Sequence, residues 1–136
     1  MRKAILIVCL ALVTSLGTTA AIASAHQPSK SWVHWWVAKM EAKRLGIVGV
    51  QWVCLESLVT RENAEPPKTW DPQKWNGAGS GAYGLPQALP ARKMASEGPD
   101  WTITAATQIR WMIKYAKGRY DGVCQADRFQ RSHGYY

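Results

Sequence analysis

The chain has 136 residues, a formal net charge of +8 at neutral pH, and a hydrophobic fraction of 47%. This length suits one small globular domain, and the hydrophobic fraction excludes a chain that is disordered throughout. The excess of basic residues favours an anionic partner. The basic residues are scattered along the chain, so none of them marks a binding site by itself.

The first 25 residues have the features of a secretory signal peptide. A basic pair at residues 2–3 precedes a nearly unbroken apolar run over residues 4–16, and residues 23–25 read Ala-Ser-Ala. The run is short for a membrane span, and no second apolar segment follows it. We therefore expect residues 1–25 to be removed on export and residues 26–136 to form one domain without a membrane anchor. An uncleaved anchor is the alternative.

Export limits the partners and the cysteine chemistry that are reasonable. A cell-wall polymer or a membrane surface could meet the positive charge, whereas nucleic acid is not expected as a partner. Cys9 leaves with the signal peptide, and the remaining pair, Cys54 and Cys124, predicts a disulfide in a small exported domain. No CxxC or HxxxH spacing accompanies this pair, so we expect no metal site and no cofactor. A free nucleophilic thiol is the alternative.

The first predicted helix is rich in tryptophan. Ser31 is its expected N-cap, and Gly46 is expected to follow its end. The apolar residues that recur between them at helical spacing are Trp32, Trp35, Trp36 and Met40. Such a stripe is more often core than surface, so we expect Trp32 and Trp36 to be buried. A Trp-rich helix that carries lysines could instead lie on a membrane surface.

The second predicted helix runs from Gln51 to about Glu62 and places its two carboxylates on different faces. At about 100° per residue, Glu62 continues the apolar face of this helix, whereas Glu56 points away from it towards solvent. That face also carries Leu55, Leu58 and Val59. Partial desolvation raises the pKa of a carboxyl group, and a raised pKa suits a general acid near neutral pH. A solvated Glu62 at a frayed helix end is the alternative.

Residues 63–80 are predicted to be a loop, because prolines and glycines interrupt any regular pattern. Within this loop, Trp70 and Trp75 offer flat apolar faces of the kind that stack on sugar rings. Residues 80–87 are punctuated by glycine, and a backbone without side chains can approach a ligand closely. An acid, a close-approach loop and aromatic platforms together suggest the cleavage of a glycoside.

The rest of the chain is predicted to be helical as far as residue 120. A short helix is expected from near Pro90 to just before Gly98, followed by an amphipathic helix over residues 104–120. Its expected buried side carries Ala105, Ile109, Met112, Ile113, Ala116 and Tyr120. Trp111 and Tyr115 form a second stripe, which is either core or the wall of a cleft.

Beyond residue 120 the sequence predicts no further regular element. No internal repeat or linker divides the chain after the signal peptide. The expected fold class is therefore mainly α, or a small α+β, in one domain.

Several segments resemble a known family. Residues 54–58, residues 61–62 and above all the string Ser-Gly-Ala-Tyr-Gly-Leu-Pro-Gln-Ala-Leu-Pro at residues 80–90 resemble a secreted bacterial transglycosylase-like domain. The match continues through residues 93–124 and covers nearly all of the chain after Trp52. The wider relatives are the lysozyme-like soluble lytic transglycosylases and the goose-type lysozymes.

The resemblance implies a lysozyme-like fold and assigns site residues. In these relatives a Glu at the end of a helix is the catalytic acid, and a Gly-Leu-x-Gln stretch lines the sugar cleft. By that match Glu62 is the acid. The residues at the substrate are then Tyr83, Gly84 and Gln87, with Trp70 as an aromatic platform.

Two departures from the family pattern bear on the site. The family continues Ser-Gly-Trp-Asn-Pro after the Glu, whereas here Asn63 replaces Ser. A Trp-x-Pro feature first occurs at residues 70–72, which implies a short insertion that carries Glu65. The Ala-Tyr-Asn segment of the larger transglycosylases is absent, and its aromatic role could pass to Tyr115 or Tyr120.

The resemblance also implies a substrate and a reaction. We expect Glu62 to protonate the glycosidic oxygen between N-acetylmuramic acid and N-acetylglucosamine in peptidoglycan, after which the muramyl 6-hydroxyl closes a ring. A lysozyme-type hydrolase would use water instead, with Glu65 or Asp71 as a second acid. A wall-binding protein without activity and a membrane-active protein are the alternatives from other classes. The expected form is a secreted monomer associated with the cell wall.

Overall fold

The computed structural model describes residues 29–63, 70–76 and 79–136. Within them the chain forms α1 (Lys30–Arg44), α2 (Val50–Asn63), a 3-10 helix (Ala91–Glu97), α3 (Ala105–Tyr120) and α4 (Val123–His133). The β-structure of these residues consists of isolated bridges from Tyr83 to Trp75 and to Ala88. The protein is mainly α-helical, as the sequence predicts. The predicted signal peptide and Glu65 lie outside the described residues.

The central element is α3, against which α1, α4 and the 3-10 helix all pack. Five of its six residues predicted to face the core are buried: Ala105, Ile109, Met112, Ile113 and Ala116. The sixth, Tyr120, is half-buried and packs against Phe129 of α4, with ring centres 5.0 Å apart. No helix in the described part of the chain is long and apolar enough to cross a membrane.

The start of α1 differs from the prediction by two residues. The side chain of Ser29 accepts a hydrogen bond from the backbone N–H of Trp32 at 3.2 Å, so Ser29 is the N-cap. The hydroxyl of Ser31 instead accepts from the backbone N–H of Trp70 at 2.8 Å. Ser31 therefore ties the first helix to the loop after α2.

Trp32 and Trp36 are surface residues, and the prediction that they belong to the core is wrong. They are 52% and 47% exposed, respectively. The buried residues of α1 are instead Ala38 and Ala42, both fully inaccessible. Alanine lets two helices approach closely, so this small-residue face allows α1 to pack on α3. Trp32 and Trp36 then lie in solvent, whereas Trp35 is half-buried.

Glu56 does not point freely into solvent, contrary to the prediction. Its side chain is half-buried, and its Oε1 accepts a hydrogen bond from Trp35 Nε1 at 2.6 Å. The Trp35 ring meets the edge of Trp52 at 5.8 Å between ring centres. A partly buried indole N–H needs an acceptor, and Glu56 supplies it.

The largest error of the sequence analysis is α4, which it did not predict. Asp121, with a left-handed backbone (φ 64°), ends α3, and α4 starts at Val123. The buried residues of α4 are Val123, Ala126, Asp127 and Gln130. Because two of these four residues are polar, apolar side chains alone do not mark the buried side of this helix.

The predicted disulfide is confirmed. Cys54 of α2 and Cys124 of α4 are bonded, with their Cα atoms 5.0 Å apart. The bond closes a loop with a sequence separation of 70 residues. It therefore fastens the helix that carries Glu62 to the C-terminal helix.

Loss of this disulfide should destabilise the fold. Replacing both cysteines by serine should lower the free energy of unfolding by about 4 kcal/mol, the chain-entropy value for a loop of this length. Urea denaturation of the wild-type and doubly substituted proteins measures the difference. Alkylation of the unreduced wild type should modify no cysteine, and two modified thiols would contradict the pairing.

Candidate active site

Glu62 is the last residue but one of α2, and its side chain is half-buried. Leu58 and Val59, one turn earlier, are fully buried. Burial raises the pKa of the Glu62 carboxyl above its ordinary value, and a hydrogen bond from Gln130 and the charge of Arg61 offset part of that rise. The raised pKa expected from the apolar face is therefore confirmed.

Gln130 of α4 holds both Arg61 and Glu62. Its side-chain Nε2 donates a hydrogen bond to Glu62 Oε1, and its Oε1 accepts one from Arg61 Nε. Gln130 is only 4% exposed, so both bonds form away from bulk water. A single amide, with its donor and acceptor ends, thus orients the candidate acid and separates it from the neighbouring cation.

Arg61 and Arg131 share the single carboxylate of Asp127. Arg61 Nη2 pairs with Asp127 Oδ1, and Arg131 Nε lies 3.0 Å from Asp127 Oδ2. Asp127 is 4% exposed and engaged through both oxygens, which excludes it as a second catalytic carboxylate. Burial raises the pKa of Glu62 more than the charge of Arg61 lowers it.

Asn63, the residue after Glu62, joins the end of α2 to two loop segments. Its Nδ2 donates to the backbone oxygens of Asp71 and Gly84, at 2.9 and 3.0 Å. Its Oδ1 accepts from the backbone N–H of Asp71 at 2.7 Å. Asn63 is fully buried, so the residue after the candidate acid positions the turn at residues 83–87 against the helix.

The side-chain amide of Gln108 in α3 is also buried, and it forms a hydrogen bond with the same turn. Its Oε1 accepts from the backbone N–H of Leu85 at 2.8 Å. Its Nε2 donates to the backbone oxygens of Pro72 and Trp101 at 2.7 and 2.8 Å. A Cβ at Gly84 would lie 2.5 Å from Gln108 Oε1. We expected the backbone at Gly84 to approach a ligand closely. It instead approaches the Gln108 side chain inside the protein.

Gly84→Ala should therefore destabilise the fold. The new methyl group meets Gln108, and the φ of +75° disfavours any side chain, for a combined cost of about 1–3 kcal/mol. Gly118→Ala is the matched control, because Gly118 lies within α3 and nothing would touch its added Cβ within 4 Å. Thermal melts should show the control to be stabilised by about 0.5–1 kcal/mol, and equal effects at both sites would refute the steric argument.

Tyr83 and Trp70 are buried, and the expectation that Trp70 forms an exposed platform is wrong. Trp70 is 4% exposed and packs on Trp52, with ring centres 6.1 Å apart. Tyr83 is 5% exposed, and its hydroxyl donates to the backbone oxygen of Thr102 at 2.5 Å. The exposed indole of the loop belongs to Trp75, which is 61% exposed and lies 4.6 Å from the Tyr83 ring.

Gln87 and Tyr115 line one small cavity, together with Tyr136. The cavity has a volume of about 80 Å³. Gln87 has a left-handed backbone (φ 48°), and its Nε2 donates to the backbone oxygen of Gly84 at 2.9 Å. Tyr115 stacks on Trp111, with ring centres 4.9 Å apart. Two of the residues predicted to bind substrate thus face a common space.

Tyr136 lines the same cavity and lies close enough to Glu62 to be affected by its charge. Its hydroxyl donates to the backbone oxygen of Pro86 at 3.1 Å, and its ring centre lies 5.8 Å from that of Tyr115. Burial, and next the nearby charge of Glu62, raises the pKa of Tyr136 well above its ordinary value. The sequence analysis assigned Tyr136 no role, and its only signal is an aromatic pair that follows Gly134.

The structure thus gathers Glu62, Gln87 and Tyr115 around Tyr136 and places Trp70 elsewhere. Trp70 lines a separate depression of about 660 Å³ between α1 and α2, together with Glu56 and Arg61. Among the described residues, no group of three or more His, Cys, Asp or Glu side chains could hold a metal ion. Comparison with protein-family models, with curated proteins and with solved structures finds no match to this chain.

The raised pKa of Glu62 predicts how Glu62→Gln changes stability with pH. Because folding disfavours the ionised carboxylate, Glu62 costs stability above its raised pKa, and this cost is absent below the ordinary carboxyl pKa of about 4.3. A glutamine oxygen can still accept the hydrogen bond from Gln130. Glu62→Gln should therefore raise the melting temperature more at about pH 7 than at about pH 4. An equal change at both pH values would contradict the burial of an ionisable acid.

Proposed function

We propose that this protein is a secreted enzyme that cleaves the glycan strands of peptidoglycan, with Glu62 as its general acid and base. The observation that carries the proposal is the Glu62 carboxyl itself. It is half-buried at the end of α2, its pKa is raised, and Gln130 orients it. A carboxyl group of this kind keeps its proton closer to neutral pH than a solvated one and can transfer it to a leaving oxygen.

In the proposed reaction Glu62 protonates the oxygen between N-acetylmuramic acid and N-acetylglucosamine. The bond from the anomeric carbon to this oxygen breaks, and positive charge develops on the muramyl ring as in an oxocarbenium ion. The muramyl 6-hydroxyl then attacks the anomeric carbon, and ionised Glu62 takes the proton of that hydroxyl. The products are an anhydromuramyl end and a free 4-hydroxyl on N-acetylglucosamine, and Glu62 is protonated again.

An exposed indole near Glu62 supports a sugar ligand, whereas the cavity that Tyr136 lines is too small to hold one. Trp75, exposed and backed by Tyr83, offers a face for a sugar ring close to the turn that Asn63 fastens to the end of α2. The cavity beside Gln87 and Tyr115, at about 80 Å³, is smaller than the roughly 300–1,000 Å³ typical of ligand sites. Substrate entry on that side therefore requires the Tyr136 side chain to move.

A lysozyme-type hydrolase is the second candidate, and one observation favours it. The backbone of Asp71 is bonded through both its N–H and its oxygen to the side chain of Asn63, the residue next to Glu62. Its carboxylate is exposed apart from a hydrogen bond accepted from the backbone N–H of Gln73 at 2.8 Å. Asp71 is therefore the described carboxylate that could assist a water molecule in a hydrolytic step.

The general-acid role predicts the effect of a single substitution. Glu62→Gln removes the transferable proton, so the rate of peptidoglycan degradation should fall by at least about a hundredfold. Glu56→Gln is the matched control, because it removes a carboxylate from the same helix while an amide oxygen remains to accept from Trp35. Turbidity of purified peptidoglycan measures the rate, and the control should keep most of the wild-type activity.

The reaction products separate the candidate functions. Ring closure gives muropeptides one water lighter than hydrolysis does and without a reducing end, so mass spectrometry of the digest distinguishes the two reactions. Reducing muropeptides alone would assign the protein as a hydrolase, with Asp71 as the next residue to replace. If the wild type bound peptidoglycan and released no fragment, the enzymatic proposal would fail in favour of a wall-binding protein.

A further inference from the structure

Most of the large hydrophobic side chains that are exposed in the described part of the chain lie together on α1, on the turn after it and at the start of α2. We call this surface the α1–α2 face and define it by Trp32, Trp36, Met40, Val48, Val50 and Val53. Their exposed fractions range from 36% for Met40 to 73% for Val50. A cluster of this kind on a small soluble domain marks a surface that binds something.

Two lysines belong to the same face. At about 100° per residue, Lys39 and Lys43 fall within an arc of about 120° of α1 that also contains Trp32, Trp36 and Met40. The Lys39 ammonium lies 4.7 Å from the ring centre of Trp35, and the Lys43 side chain is exposed. Both cations thus stand at the border between apolar surface and water.

A groove of about 490 Å³ runs along this face between α1 and α2. Trp35 and Trp52 line it, and so do the two lysines together with Trp36, Met40 and Val48. Among the described residues that line the groove, none is acidic. The apolar groove therefore has a purely cationic border.

The acidic side chains of α1 and α2 do not line this groove, and each is held by a hydrogen bond or an ion pair. Glu41 pairs with Arg110 of α3 at 3.0 Å and with Arg44 at 2.6 Å. Glu56 accepts the indole N–H of Trp35, and Glu62 accepts the amide of Gln130. The groove of the α1–α2 face therefore presents positive charge. The nearest carboxylates line the neighbouring depressions, Asp121 beside Val50 and Glu56 beside Val53.

We propose that the α1–α2 face binds the surface of an anionic lipid membrane. Valine and methionine side chains do not offer the flat faces on which sugars stack, whereas they gain free energy on entering the acyl region of a bilayer. Indoles favour the headgroup level, where the two lysines also meet anionic lipids. The inference does not depend on the chemistry of Glu62, which lies at the other end of α2.

Binding to vesicles tests the proposal directly. The protein is isolated in the form that its producing cells make, and its intact mass is recorded so that all variants share the same N-terminus. It is then sedimented with vesicles of phosphatidylcholine alone or of phosphatidylcholine and phosphatidylglycerol in equal amounts. The wild type should partition onto the mixed vesicles, with a blue-shifted tryptophan emission, and much less onto phosphatidylcholine alone.

Substitutions on the face should weaken this binding selectively. Trp36→Ser and Val50→Ser should each lower the partition coefficient by about three- to tenfold, because each removes apolar area from the lipid contact. Lys43→Glu should lower it by at least about fivefold at low salt and by less at high salt. Ile103→Ser and Arg92→Glu are the matched controls, since both residues are exposed outside the face. They should bind as the wild type does, and all variants should melt with the wild-type cooperativity.

Three outcomes would overturn the proposal. The first is no partition of the wild type onto anionic vesicles, and the second is undiminished binding by both Trp36→Ser and Val50→Ser. The third is a dimer, seen by analytical ultracentrifugation, that Trp36→Ser dissociates, because a second copy of the chain would then cover the face. The activity of each variant on purified peptidoglycan, which contains no lipid, is measured in parallel. The two readouts are independent, so the membrane proposal and the Glu62 proposal can fail separately.

Discussion

The candidate site depends on one buried amide, the side chain of Gln130. Its two ends bind Arg61 and Glu62, which are adjacent in sequence and opposite in charge, while Asp127 on the same helix pairs with the arginine. Without these contacts Arg61 would be free to pair with the carboxylate beside it, which would lower the pKa of Glu62 instead of leaving burial to raise it. The disulfide from Cys54 to Cys124 holds the two helices at the separation that this network needs.

Side-chain amides also hold the loops beside Glu62. They form hydrogen bonds with backbone groups that would be paired within a sheet in a protein with more β-structure. Asn63 binds Asp71 and Gly84, and Gln108 binds Leu85 together with two further backbone oxygens. Buried backbone groups must be paired, and in these loops polar side chains supply part of that pairing beside the backbone bonds between Tyr83 and Ala88. These amides are fully buried, so their replacement by apolar residues would leave donors and acceptors unpaired beside the candidate acid.

Apolar periodicity predicted the parts of this fold whose buried faces are apolar. It located α2, α3 and the 3-10 helix and placed Glu62 on a desolvated face, because Leu55, Leu58 and Val59 repeat at helical spacing. It failed for α4, whose buried side includes Asp127 and Gln130, and therefore missed the residue that orients Glu62. It also failed for Trp32 and Trp36, since residue size suggested burial whereas the helix packs through Ala38 and Ala42. No pattern in one sequence shows which of two stripes on a helix meets its neighbour.

The groove of the α1–α2 face lies beside the start of α2, whereas Glu62 lies near the end of this helix. Val50 begins the helix and Glu62 lies twelve residues later, so their backbones are separated by about 18 Å along the helix axis. Small-residue packing of α1 on α3 leaves Trp36 exposed beside the start of α2, whereas Trp32 lines a depression that extends to Arg61. Helix α4 covers the Glu62 end. A membrane contact at the first end would leave the candidate acid outside the lipid, where a glycan strand running over the membrane could reach it. Lipid binding and glycan cleavage would then be compatible in one molecule at the same time.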